Sequence, residues 1–425
     1  MKDFWGRVGV LGLVCVFASA PPASAQTDVE IPDHAVRTVF TTDTIEGFGA
    51  VGGVVADGLG YVYVADFRNA VWRYSPDGAV EKFADGLYGA SGNAIGPRGY
   101  LFQSAFNGNY VARISRTGDV EVWADEGLSG PVGIAAAPDG SLFVVNCTAG
   151  TVSRIGPDRS VSTFAESELM ACPNGITFDD RGDLFVVSFN STKIVRITPD
   201  GTATEFADIP GGGGNGHITF ARGAFYVTKF RANQIHEVYR DGTSALLAGT
   251  GQPGRGDGAA AASTFTQPNG ITSTSGGREL WVNDLVVRGS ARTGRSLVSL
   301  RRIDLTTLTD VLAEVDPAEG ADAVRTVYDA YHRSRPRDDT SVEAVAVAYG
   351  WMSSPNWQTG VALMEMNADR YPQDPASVFN RGEAYRYTGQ PQQAAEQYRR
   401  VLELQPNHPS ARARLAEVGG GPPQP

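Results

Sequence analysis

The stretch "GDLFVVSF" at 182–189 returns five times in altered form: "GYVYVADF" (60–67), "GYLFQSAF" (99–106), "GSLFVVNC" (140–147), "GAFYVTKF" (223–230) and "RELWVNDL" (278–285). The first four steps are 39, 41, 42 and 41 residues; the last is 55, because a glycine-rich insert intervenes. Each copy is apolar at consecutive positions, which buries both faces of a strand. A lone sheet cannot bury both faces, whereas sheets stacked in a ring can. Around each copy the chain reads as four short strands. In the third these are "GPVGIAAA" (130–137), the aromatic strand, "TVSRIGP" (151–157) and "SVSTFAE" (160–166). Pro-Asp-Gly and Asp-Gly supply the dihedrals of the tight reversals. Six such units predict an all-β, six-bladed β-propeller. The N-terminal "VRTVFTT" (36–42) matches the outer strands "VEKFADG" (80–86) and "VEVWADE" (120–126). It competes with "LTDVLAE" (308–314) to close the last blade, and the sequence leaves both open.

Past Pro317 the periodicity becomes helical. "SVFNRGEAYRYTGQPQQAAEQYRRVLELQPNHPSARARLAEV" (377–418) places Gly382, Tyr385, Gly389, Ala394, Tyr398 and Pro406 at the spacings of a tetratricopeptide repeat, which it resembles. Pro372 lies 34 residues before Pro406 and marks a degenerate earlier repeat over 341–374, with Gly360 in the small position and Met364 in the aromatic one. The expected organisation is a propeller over 26–316, a small all-α helical-repeat domain over 317–418, and a tail at 419–425. Such helices suggest a protein partner or a stabilising appendage; two short repeats offer little concave surface.

"MKDFWGRVGVLGLVCVFASAPPASAQ" sets Lys2 and Arg7 before the apolar run Val8–Ala18 and ends in Ala23-Ser24-Ala25. This reads as a secretory leader, residues 1–25, cleaved after Ala25, and implies a periplasmic or secreted protein. The run is too short to span a bilayer, and no other segment is long and apolar enough. Cleavage removes Cys15 and leaves Cys147 and Cys172, an even count that suggests a disulfide in an oxidising compartment. The net charge of −11, with no basic stripe, argues against nucleic acid.

In an up-and-down blade the loop before the innermost strand shares a rim with the end of the second strand. That leading rim gathers Asn174, Asn215, His217 and Asn269 from the loops, and Asp66, Asn146 and Asp284 from the strand ends, with Asn93 nearby. Cys147 and Cys172 fall there too, on adjacent blades. Amides and carboxylates converging on a channel suit a small polar ligand, a peptide, or a hard cation such as Ca. Each Asn before Gly is equally a turn residue that bonds its own backbone.

The repeats, together with "LAGTGQPGRGDGAAAASTFTQPNGI" (247–271), resemble NHL-repeat propellers and, more widely, the gluconolactonase/regucalcin-like superfamily, over roughly 36–315. In its lactone-hydrolysing members the resemblance implies a divalent metal held by a Glu, two Asn and an Asp. Asn174 matches the "PNG" position, and Glu46 lies near the place of the Glu. Val132 stands where a third-blade Asn is wanted, and "GNGHI" offers Asn215 and His217 where "PDG" is expected. The candidate metal set is therefore Glu46, Asn174 and Asn215. With half the positions substituted, metal-assisted lactone or ester hydrolysis is the alternative to ligand binding. "GTGQPGRGDG" (249–258) contains Gly-x-Gly-x-x-Gly, but strands flank it, and a phosphate cradle needs a following helix.

Overall fold

The computed structural model describes residues 29–42, 49–212, 214–287 and 297–419. The leader at 1–25, Glu46 and the tail beyond residue 419 lie outside the described residues. Five four-stranded antiparallel sheets follow in chain order, over 54–84, 90–124, 131–166, 173–208 and 215–248. The sixth contains Ile271–Ser273, Glu279–Val287 and Leu297–Asp304, with the N-terminal strand Ala35–Thr41 laid antiparallel on Leu297–Asp304. The N-terminal strand thus closes the ring.

"LTDVLAE" is not a strand. Leu308–Ala313 forms helix α1, nucleated by a capping box: Asp310 N donates to Thr307 Oγ1 at 3.2 Å, and Thr307 N donates to Asp310 Oδ2 at 2.9 Å. Leu308, Val311 and Leu312, at helical spacing, pack into the helical core rather than into the propeller. Helical packing therefore begins at 308, inside the stretch read from sequence as propeller.

The turns are built as their composition requires. Asp139 accepts from Ser141 N at 2.8 Å, and Asp179 accepts from Arg181 N and Asp183 N at 2.9 and 3.0 Å. The aromatic strands fill the seams between blades. Phe185 of the fourth blade meets Phe225 of the fifth with ring centroids 4.2 Å apart, and Phe206 stands edge-on to both. The glycine-rich insert ends in a two-residue strand, Gly258–Ala259, that pairs with Ala35 and Val36 outside the closing strand. Arg301, fully buried, donates to the carbonyls of Thr264 and Gly256 at 3.1 and 3.0 Å and pins the insert down.

Helices α2 to α7 follow: Ala321–Ser334, Ser341–Met352, Trp357–Arg370, Pro375–Tyr387, Pro391–Leu404 and Pro409–Val418. In the second helix pair a Cβ on Gly382 would lie 2.8 Å from the Tyr398 ring, so the glycine is what lets α5 and α6 close. Gly360 serves α3 and α4 likewise, 2.6 Å from the Ala348 carbonyl. No described helix is long and apolar enough to cross a membrane.

The helices join the propeller on the side away from the leading rim, at the two turns of the fifth blade that follow its first and third strands. Arg222 pairs with Glu343, and Arg337 with Asp241 at 3.2 Å. Between the two parts Glu237 accepts from Tyr226 Oη at 3.0 Å and Tyr239 Oη at 3.1 Å.

Candidate functional site

The repeated phrase "PNGI" shows its purpose in the inner strands. Strand register aligns Val54, Asn93, Ile134, Ile176, Ile218 and Ile271 across the six blades. The residue before each is Gly53, Gly92, Gly133, Gly175, His217 and Gly270. Each glycine lies against the backbone of the next blade. A Cβ on Gly53 would sit 2.9 Å from Gly92 Cα; on Gly92, 2.7 Å from Gly133 Cα; on Gly133, 3.2 Å from Gly175 Cα; and on Gly175, 2.7 Å from His217 Cα. The circuit ends at Gly270, whose Cβ would be 2.7 Å from Val54 N. Bare backbone is what draws the six strands together at this level.

The asparagines before these glycines tie the ring. Asn174 Nδ2 donates to Gly216 O at 2.8 Å, and Asn269 Nδ2 to Gly52 O at 3.1 Å, each reaching the following blade. The strand-end residues brace loops in the same way. Asp66 accepts from Gly49 N and Arg68 N, both at 3.2 Å. Asn146 accepts from Ser129 N at 3.0 Å and donates to Ser153 Oγ at 2.9 Å. Asp284 accepts from Thr266 N at 3.0 Å and from Ser299 Oγ, with Arg301 3.6 Å away; burial nonetheless holds its carboxyl up at about 6. Asn215 Nδ2 donates to Ser191 O at 2.9 Å, while its buried Oδ1 has no partner. Cys147 and Cys172 are disulfide-bonded across the third and fourth blades, beside Asn174.

Two of the sequence-predicted residues, Asn93 and His217, face a channel; Asn93 Nδ2 also reaches Tyr63 O of the first blade at 3.5 Å. Beyond the glycine ring, between the C-terminal halves of the inner strands, lies a channel of about 320 Å³. Asn93 and His217 line it together with Thr177, Thr219, Thr272 and aliphatic side chains. Asn93 is 9% exposed and His217 8%, and Asn93 Oδ1 and His217 Nε2 have no hydrogen-bond partner. A buried polar atom left without a partner costs about 1–3 kcal/mol, so a hydrogen bond to either atom is favourable. Burial pushes His217 down to about 4, leaving a neutral imidazole. The second and fifth blades are three apart, so the two side chains come from opposite sides of the ring. Among the described residues no Asp, Glu, Lys or Arg lines the channel. Its mouth is on the side where the helices attach, opposite the disulfide.

The expected metal set is described only in part, since Glu46 lies outside the described residues. Asn174 and Asn215 lie on adjacent blades; each commits its amide nitrogen to a backbone carbonyl and keeps its amide oxygen for another partner, while the rim carboxylates Asp66 and Asp284 are taken up by N–H, hydroxyl and guanidinium donors. Among the described residues no three His, Cys, Asp or Glu gather where they could hold a metal ion. A hard cation needs several free oxygens, carboxylates among them.

The virginiamycin B lyase family model matches residues 53–210, and the tetratricopeptide-repeat model matches 375–408. No curated protein matches the chain. Solved structures similar to it include a catalytically inactive virginiamycin B lyase from Staphylococcus aureus with quinupristin, at 20% identity and TM-score 0.46, covering 61% of this chain and 82% of that one. A protein of unknown function from Bacteroides thetaiotaomicron is similar at 16% identity and TM-score 0.53, over 64% and 76% of the two chains. A gluconolactonase from Xanthomonas campestris is similar at 17% identity and TM-score 0.49, over 65% and 96%. At these identities the likeness concerns the fold alone. The chain is a six-bladed β-propeller, similar over 53–210 to the virginiamycin B lyase family, followed by helices that contain a tetratricopeptide repeat.

Proposed function

We propose that the protein is an exported binding protein whose propeller channel takes a small polar ligand, or the end of a peptide, and whose helical repeat recruits a protein partner. The observation that carries the ligand site is the pair of buried, unpartnered atoms, Asn93 Oδ1 and His217 Nε2, lining one channel. A ligand with hydrogen-bonding groups relieves both. The uncharged wall selects against ions, which would lose hydration with no counter-charge to replace it. Among the described lining residues the titratable group is the neutral imidazole of His217, with no carboxylate beside it to form an acid–base pair. The tetratricopeptide repeat supports partner recruitment, and the apolar leader and the disulfide support export.

The test uses substitutions that other blades already carry. Asn93→Val and His217→Gly convert the two positions to residues found at the equivalent places. A panel of neutral and charged metabolites screened by thermal shift should yield neutral ligands whose stabilisation is lost in either variant. Ligands that stabilise both variants as well as the parent protein would refute the channel site.

A further inference from the structure

A second hollow, about 720 Å³, lies away from the channel, where the segment 29–37, the sixth blade and helices α1 and α2 meet. Its walls are aliphatic: Ile31, Pro32, Leu305, Val311, Val315 and Val327 contribute. Ile31, Val315 and Val327 are partly buried against the helical core, so the apolar surface is continuous with packed interior. Charged groups line the same hollow, and they are unbalanced. Glu30, Glu279, Asp304, Asp310 and Glu314 face two guanidiniums, Arg37 and Arg278. Arg37 is paired with Asp304, and Arg278 with Asp310 at 3.0 Å; Glu279 is met by Arg302 at 3.0 Å from outside the lining. Glu30 and Glu314 have no ion-pair partner among the described residues.

We propose that this hollow binds an apolar molecule carrying a cationic amine. The aliphatic walls take the body of the ligand out of water. Glu30 and Glu314 meet its ammonium group at the rim, where the nearby low-dielectric wall strengthens the attraction. The same two carboxylates repel an anionic amphiphile of equal size. Charge complementarity, with both lining cations already neutralised, sets the sign of the ligand; the walls set its apolar body. This site is independent of the channel and shares no residue with it.

Three probes of one shape test it by titration calorimetry on the chain from residue 26 onward: 4-phenylbutylamine, 4-phenylbutanol and 4-phenylbutanoate. The amine should bind roughly tenfold more tightly than the carboxylate, with the alcohol between them. The double change Glu30→Gln with Glu314→Gln should erase the advantage of the amine and leave the alcohol unaffected. Val315→Trp, which fills the hollow, should weaken all three. Carboxylate binding equal to that of the amine, or an amine advantage that survives the double change, would overturn the proposal without reliance on the Trp variant. So would amine binding that appears only after residues 26–28 are also removed from the chain lacking its leader, or that is displaced by self-association at high concentration. Those outcomes assign the hollow to the chain's own leading segment or to a second copy.

Discussion

The side chain of Asn174 donates to the carbonyl of Gly216, at 2.8 Å, across the seam between the fourth and fifth blades. The most conspicuous polar residue of the repeated phrase is thus a tie between blades, and the glycine after it is a contact surface. Asn174→Ala removes this bond and a longer one, 3.4 Å, to Asn215 O, and should cost about 1 kcal/mol. Gly175→Ala forces a Cβ to within 2.7 Å of His217 Cα and should cost about 1–3 kcal/mol. Urea unfolding of the two variants measures the difference, and the glycine variant should be the less stable.

The bond between Cys147 and Cys172 closes a span of 25 residues. By chain entropy it contributes about 3 kcal/mol. Replacing both cysteines by serine should lower the urea midpoint accordingly, and reductant should do the same to the parent protein while leaving the variant unmoved.

Glu237 gives the joint between propeller and helices a pH signature. Burial, assisted by the facing Asp338, holds its carboxyl up at about 7 from an ordinary 4.5, against the pull of Arg222 and the two tyrosine donors. The folded chain keeps that proton where the unfolded chain has released it. The contribution is complete below about pH 4.5 and fades as the pH rises through 7. Four histidines, His34, His217, His236 and His332, are held by burial at about 4 and act in the opposite sense, losing stability as the pH falls below 6.5. The reading that isolates Glu237 is the difference between the parent protein and Glu237→Gln. The advantage of the parent should shrink steadily from pH 4.5 to 7 in thermal melts.

In the helical part, Gly382→Val should be strongly destabilising, because the Tyr398 ring occupies the space beside that glycine. Tyr398→Phe removes only the bond to Glu383 Oε1 at 2.5 Å and should cost about 1.5–3 kcal/mol, since the acceptor is charged. Circular dichroism at 222 nm with increasing urea resolves the two.

The ring of blades was legible because its signal repeats: six apolar strands at a period near 40 can only stack. The closing strand was not decided, since 36–42 and 308–314 have similar strand-like composition. The Thr307–Asp310 capping box that turns the second into a helix is a local cue that a strand alignment passes over. The leading rim is rich in amides, yet numbers do not distinguish a ligand from a backbone carbonyl as partner. Aligning the inner strands instead of the aromatic ones exposes the informative positions. His217 stands alone where five blades have glycine, and Asn93 where five have Val or Ile. That Asn93 Oδ1 and His217 Nε2 have no protein partner could come only from the packed structure.

A high-resolution crystal structure of the protein, grown with a neutral ligand found by thermal shift, tests the central claim most directly. The account predicts the ligand beyond the glycine ring, bonded to His217 Nε2 and Asn93 Oδ1, and reached from the side that carries the helices. Density at the opposite rim, on Asn174 and Asn269 with their ties to Gly216 and Gly52 broken, would contradict it.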